Sequence, residues 1–136
     1  MKQIPVIYWT GTGNTQIMAD AIKAAGAEAL VKNVADISAD EAATYDALAL
    51  GCPAMGAEVL EEDEFEPFFA ELEGKLAGKR VALFGSYGWG GTYMQDWEAR
   101  VQDAGAELVA EGVLALGAPD DEVLAKLAEA GKLLAE

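Results

Sequence analysis

Histidine is absent from this 136-residue chain, and cysteine occurs once, at Cys52. Without imidazole there is no Ser-His-Asp or Cys-His constellation, no histidine metal site and no proton shuttle titrating near neutrality. A single thiol excludes an internal disulfide and a cysteine-held cluster. No apolar run approaches the roughly 20 residues of a membrane span, and Met1-Lys2-Gln3 leads directly into an apolar run without a signal-peptide pattern. The expectation is a cytoplasmic chain. Positive charge is also scarce, with 9 Lys and Arg against 24 Asp and Glu, a formal net charge of −15. Such a surface repels phosphate backbones and anionic membranes, so neither nucleic acid nor a lipid surface is expected as a partner. It suits a basic protein partner, and it equally serves to keep a small protein dispersed in water.

Hydrophobic residues make up 52% of the chain, enough to build a core at this length, and one domain spanning 1–136 is expected. Strand-like and helix-like segments alternate throughout. Strands are expected at 4–9, 28–34, 45–52, 80–85 and 108–116. Helical spacing covers 15–25, with Ile17, Ala21, Ile22 and Ala25 on one side and Gly26 as its end. A short helical connection is expected at 36–44, with Ser38 or Asp40 near its cap. Residues 65–76 place Phe68, Phe69, Leu72 and Leu76 on one face, with Gly78 closing the helix. Residues 93–104 do the same with Tyr93, Met94, Trp97 and Val101. Asp120-Asp121 caps a last helix carrying Val123, Leu127, Ala130 and Leu134. Near-continuous apolar strands separated by helices imply an α/β fold, a three-layer doubly wound parallel sheet of five strands.

Ligands of such sheets bind beyond the carboxyl ends of the strands, where strand order reverses. Three segments there have unusual composition. Thr10-Gly11-Thr12-Gly13-Asn14-Thr15 joins the first strand to the first helix. It is rich in N–H and O–H donors at a helix N-terminus, a natural anion site. It contains no lysine or arginine, and Asn14-Thr15 stands where a P-loop needs Lys-Ser/Thr. That suits one terminal phosphate better than a triphosphate with its metal; the same residues also read as a capped polar turn. Pro53-Ala54-Met55-Gly56-Ala57-Glu58 follows the third strand, and Ser86-Tyr87-Gly88-Trp89-Gly90 follows the fourth. Trp89 between glycines suits stacking on a flat ligand, or else a surface role. Met55 suits the opposite face of the same ring, or core filling. Glu58 is placed to accept a ring N–H; the acids at 61, 62, 63, 64 and 66 read with it mostly as a solvated acidic face. Cys52 reads as a buried strand-end thiol without a redox role. Together the three segments describe a site for a flat heterocycle bearing one phosphate.

The stretches YWTGTGNT (8–15), LGCPAMGAEVLEEDEFEPFF (50–69) and KRVALFGSYGWG (79–90), in this order, resemble the short-chain flavodoxins of clostridia and related anaerobes, and the likeness runs over nearly the whole chain. The resemblance implies a flavodoxin-like fold with strand order 2-1-3-4-5 and one non-covalently bound FMN. Thr10 to Thr15 would hold the phosphate, Met55 and Trp89 the two faces of the isoalloxazine, and Glu58 its N3–H. It also implies a low-potential one-electron carrier working between semiquinone and hydroquinone. Such a carrier substitutes for ferredoxin between redox enzymes and docks on basic surfaces of ferredoxin-type reductases and oxidoreductases, as a monomer. In the family the peptide after the Met-Gly turn flips on reduction; here it is Gly56–Ala57, and positive φ at Ala57 would cost roughly 1 kcal/mol. The chain differs from its relatives in a loop after Trp89 that is one residue shorter and in a first helix about one turn shorter. An FMN-dependent reductase of the quinone reductase kind is the alternative on the same fold. A receiver-like regulatory domain lacks its strand-end aspartates, since Thr10 and Cys52 stand there.

Overall fold

Alternate residues of the central strands face opposite sides of one sheet, and both sides are apolar. In β1 (Gln3–Tyr8), Ile4, Val6 and Tyr8 face one layer and Ile7 the other. In β3 (Ala47–Gly51), Ala47 and Ala49 oppose Leu48 and Leu50, and in β4 (Arg80–Tyr87), Ala82 and Phe84 oppose Val81 and Leu83. A strand buried on both faces has to be covered on both, which is why the intervening segments are helices. A computed structural model gives the arrangement and describes residues 3–11, 13–22, 28–53, 60–87 and 93–135.

The sheet is wholly parallel, with order β2-β1-β3-β4 followed by β5 and β6, where β2 is Glu28–Asn33, β5 is Glu107–Leu108 and β6 is Val113–Leu116. This is the order that the family resemblance implied, within the doubly wound class expected from the strand and helix pattern. One layer holds α1 (Asn14–Ile22) and α5 (Asp121–Ala135), whose Met18, Ala19, Ile22, Leu127, Ala130 and Leu134 pack on Val6, Ala49 and Phe84. The other holds α2 (Ala39–Ala42), α3 (Phe65–Glu73) and α4 (Tyr93–Asp103). Its centre is Trp97, edge-on to Phe65 and Phe69 at 5.5 and 5.9 Å between ring centres. Arg100 lies 4.7 Å above the Phe69 ring and pairs with Glu66 and Glu73, closing the rim of that cluster. No helix among the described residues is long and apolar enough to cross a membrane.

Several boundaries differ from the sequence expectation. The fifth strand divides into β5 (Glu107–Leu108) and β6 (Val113–Leu116), both beside β4. Residues 109–112 stand opposite only Ala82 and Leu83, so the edge carries two extra residues as a bulge. Glu98 holds that bulge, accepting the Gly112 N–H at 2.7 Å. β4 runs two residues beyond 85 because Ser86 and Tyr87 find partners in Ala115 and Leu116. Helix α3 stops at Glu73 with Gly74 as its C-cap, and Leu76 is buried from the following turn. The connection at 36–44 is a 3-10 turn at Val34–Asp36 followed by α2, whose cap is Ser38, accepting the Glu41 N–H. Asp120 caps α5 through the Val123 N–H, as expected.

Candidate functional site

The register places Tyr8 beside Gly51 and Gly51 beside Phe84, so the segments after β1, β3 and β4 leave one edge of the sheet together. Each is pinned where it leaves. Trp9 donates its backbone N–H to Gly51 O at 3.0 Å, and Cys52 donates to Phe84 O at 3.1 Å.

The first segment turns tightly. The Thr10 hydroxyl accepts the Gly13 N–H at 2.9 Å, and Gly13 has φ +93°, a conformation that side chains disfavour. Gly13 O then accepts the Ile17 N–H, which starts α1. The first amides of a helix have no carbonyl four residues back, so those of Asn14 and Thr15 are open to an anion. Thr15 supplies the sharper observation. It is 1% exposed, and its hydroxyl has no hydrogen-bond partner among the described residues. A buried hydroxyl left unpaired costs about 1–3 kcal/mol, and an oxygen-rich ligand in the turn would remove that cost. Trp9, read from the sequence only as a strand end, underlies this turn. Its indole edge lies against Gly11, about 3.1 Å from where a Cβ would stand, and its Nε1 donates to Glu64 at 3.2 Å.

The second segment is held at both ends by buried groups. Cys52 is fully buried, and its sulfur accepts the Glu61 N–H at 3.3 Å. Burial pushes the thiol up to about 12, so it stays protonated and inert, as the sequence implied. Glu61 corrects the sequence reading. It is 6% exposed rather than part of a solvated face, and its carboxylate accepts the N–H groups of Asp63, Glu64 and Phe65 at 2.7–2.9 Å. Burial pushes that carboxyl up, but the bonds from Phe65, Glu64 and Asp63 outweigh it and hold it below its usual range. Glutamate is not a favoured cap, so nothing in the pattern marks it out. Glu62, Asp63 and Glu64 are exposed as expected, while Glu66 is half-buried against Arg100.

The third segment begins inside β4, since Ser86 and Tyr87 are strand residues. Ser86 is buried and Tyr87 half-buried at the sheet's end. Of the expected site residues, the structure brings together Thr10, Gly11, Gly13, Asn14, Thr15, Pro53, Ser86 and Tyr87. Thr12, Ala54, Met55, Gly56, Ala57, Glu58, Gly88, Trp89 and Gly90 lie outside the described residues, and with them the Gly56–Ala57 peptide. The described turn fits the phosphate of FMN on its own chemistry, with an unpaired buried hydroxyl, open first-turn amides and no competing acid within residues 10–15.

Comparison with known proteins agrees with this geometry. The family model for flavodoxin matches residues 6–131. The flavodoxin of Megasphaera elsdenii is 47% identical over 116 residues, 82% of this chain and 85% of that protein. The flavodoxin of Clostridium beijerinckii is 47% identical over 121 residues, 85% of this chain and 88% of that protein. The solution structure of two-electron reduced M. elsdenii flavodoxin superposes with a TM-score of 0.86 at 44% identity, covering 95% of this chain and 98% of that one. These relatives favour the electron carrier over a reductase with its own substrate. A doubly wound parallel sheet with a glycine-threonine turn at its switch point, matched along nearly its full length, places the chain in the flavodoxin family, the FMN-dependent electron-transfer proteins.

Proposed function

We propose that Thr10 to Thr15 hold the FMN phosphate, and that Pro53 to Glu58 and Ser86 to Gly90 enclose the isoalloxazine. The observation that carries this reading is the buried, unpaired hydroxyl of Thr15 beneath a glycine turn at a helix N-terminus. Bound FMN supplies a one-electron couple; the chain's part is to hold, orient and shield it. The amides and hydroxyls of the turn hold the phosphate through neutral donors. Trp9 and Glu61 keep the first and second segments in place from beneath. Residues 53–60 and 86–92 contain no lysine or arginine, and 58–66 contain six acids. Added negative charge on the ring is therefore disfavoured, which supports a low potential.

The exposed acids Glu62, Asp63 and Glu64 adjoin the second segment, and the net charge is −15. They support docking on basic surfaces of redox proteins, with the charge raising the association rate. On this reading the chain is a cytoplasmic monomer that stands in for ferredoxin between redox enzymes. Spectroelectrochemistry of the purified protein tests it. A flavin spectrum with two well-separated one-electron steps, the second at low potential, is expected, together with no steady-state oxidation of NAD(P)H. A colourless chain that takes up no added FMN, or rapid NAD(P)H turnover, would overturn it.

A further inference from the structure

Tyr93 opens α4, the helix after the third segment, yet its hydroxyl reaches back between two strand ends. Its oxygen lies 3.2 Å from the carbonyl oxygen of Cys52 and 3.4 Å from that of Ser86. A phenol has one hydrogen to give, so the two carbonyls share it. Cys52 immediately precedes the second segment and Ser86 begins the third. The hydroxyl therefore joins the roots of both proposed ring loops.

Position 85 makes this contact sterically accessible. A Cβ there would stand 2.2 Å from Cys52 O and 2.4 Å from the Tyr93 hydroxyl, so only glycine admits the approach. The tyrosine is 5% exposed, and burial, followed by the neighbouring Cys52 and Tyr87, raises its phenol above the ordinary value. It is a neutral donor at any physiological pH. Below it, the strands are tied through Cys52 N–H to Phe84 O; no other described side chain bridges the Cys52 and Ser86 carbonyls.

We propose that Tyr93 is a positioning residue for the flavin ring, fixing the separation of the two ring loops by sharing its O–H between Cys52 and Ser86. The inference rests on the ring placement given under Proposed function. Without the hydroxyl, two inward-facing carbonyls lose their donor and the strand ends gain a second spacing. A ring that fits only one spacing binds with an affinity lowered by the fraction of chains that hold it. The phosphate turn lies between β1 and α1, and among the described residues no hydrogen bond joins it to the Tyr93 hydroxyl, whose partners are Cys52 O and Ser86 O. The loss therefore falls on the ring and not on the phosphate.

The test compares wild type and Tyr93→Phe, which keeps the buried ring and removes only the oxygen. Dissociation constants are measured for FMN, for riboflavin and for inorganic phosphate, the last by competition with FMN. Losing one shared hydrogen bond should weaken FMN and riboflavin together by about three- to tenfold, leave phosphate within twofold, and shift the midpoint potential of the bound flavin. FMN and riboflavin constants within twofold of wild type would overturn the proposal, whatever happens to melting temperature, because the hydroxyl would then only stabilise. Equal weakening of all three ligands would also overturn it. Gly85→Ala, which pushes the hydroxyl away, should reproduce the ring-specific loss; an unchanged riboflavin constant there counts against the proposal. A wild-type chain that binds FMN but not riboflavin overturns the ring placement instead, and is told apart by the wild-type arm alone.

Discussion

Replacing Thr15 by valine should move the free and FMN-bound proteins in opposite directions. Valine matches threonine in shape and removes only the hydroxyl, which is buried at 1% exposure and unpaired. In the free protein that hydroxyl bears an uncompensated desolvation cost of about 1–3 kcal/mol. Thr15→Val should therefore stabilise the apoprotein by about 1 kcal/mol, raising its melting temperature by roughly 3–5 °C at this chain length. A hydrogen bond from the hydroxyl to a phosphate oxygen contributes about 1.5–3 kcal/mol. Its loss should weaken FMN by roughly 10- to 100-fold. Thermal melts of apoprotein and calorimetric titration with FMN read the two effects separately. A variant that is less stable without FMN, or that binds FMN as tightly as wild type, would refute the assignment of this hydroxyl to the phosphate.

Other outcomes follow from the groups beneath the site. Glu61→Gln should cost about 1–2 kcal/mol at pH 7, because three backbone donors lose a charged acceptor. The carboxyl of Glu61 is held below its ordinary 4.5, so its stabilisation is complete above that value and lost as pH falls through the lower folded one. The gap between wild type and variant in urea midpoint should hold at neutral pH and shrink in acid; a constant gap would contradict this. Cys52, buried and pushed up to about 12, should resist a disulfide reagent in the folded protein and react fully in denaturant. Prompt native-state reaction would contradict the burial of Cys52. Arg100→Met keeps a side chain over Phe69 but strands Glu66 and Glu73 beside each other. A loss of about 1 kcal/mol that diminishes in high salt is expected, and equal stability at low salt would show the pairs to be inert.

Legibility from sequence divided along physical lines. The doubly covered parallel sheet was readable because each central strand repeats apolar residues on both faces. Its order came from the family resemblance alone. The stripe expected on the first helix was misplaced, since Ile17 is 50% exposed while Met18 and Ala19 are buried. The polar strand-to-helix turn itself was readable because glycine, threonine and asparagine sit between a strand and a helix with no base among them. What stayed hidden depends on residues far apart in the chain. Trp9 reads as one more apolar strand residue until its indole is seen against Gly11 and bonded to Glu64, 55 positions on. Tyr93 reads as an apolar helix position, and its hydroxyl acquires meaning only from carbonyls at 52 and 86. Glu61 is one acid among six, distinguished solely by burial against three amides. The division of the last strand was equally invisible, since two surplus residues in an edge alter pairing without altering the apolar pattern.

The crystal structure of the FMN complex tests the central claim most directly. The account predicts phosphate oxygens within about 3 Å of the amides of the 11–15 turn and of the Thr15 hydroxyl, with the ring between 53–58 and 86–90. A phosphate seated instead against a cation, such as Lys126 in the cavity it lines with Glu111, Val113 and Glu129, would contradict it.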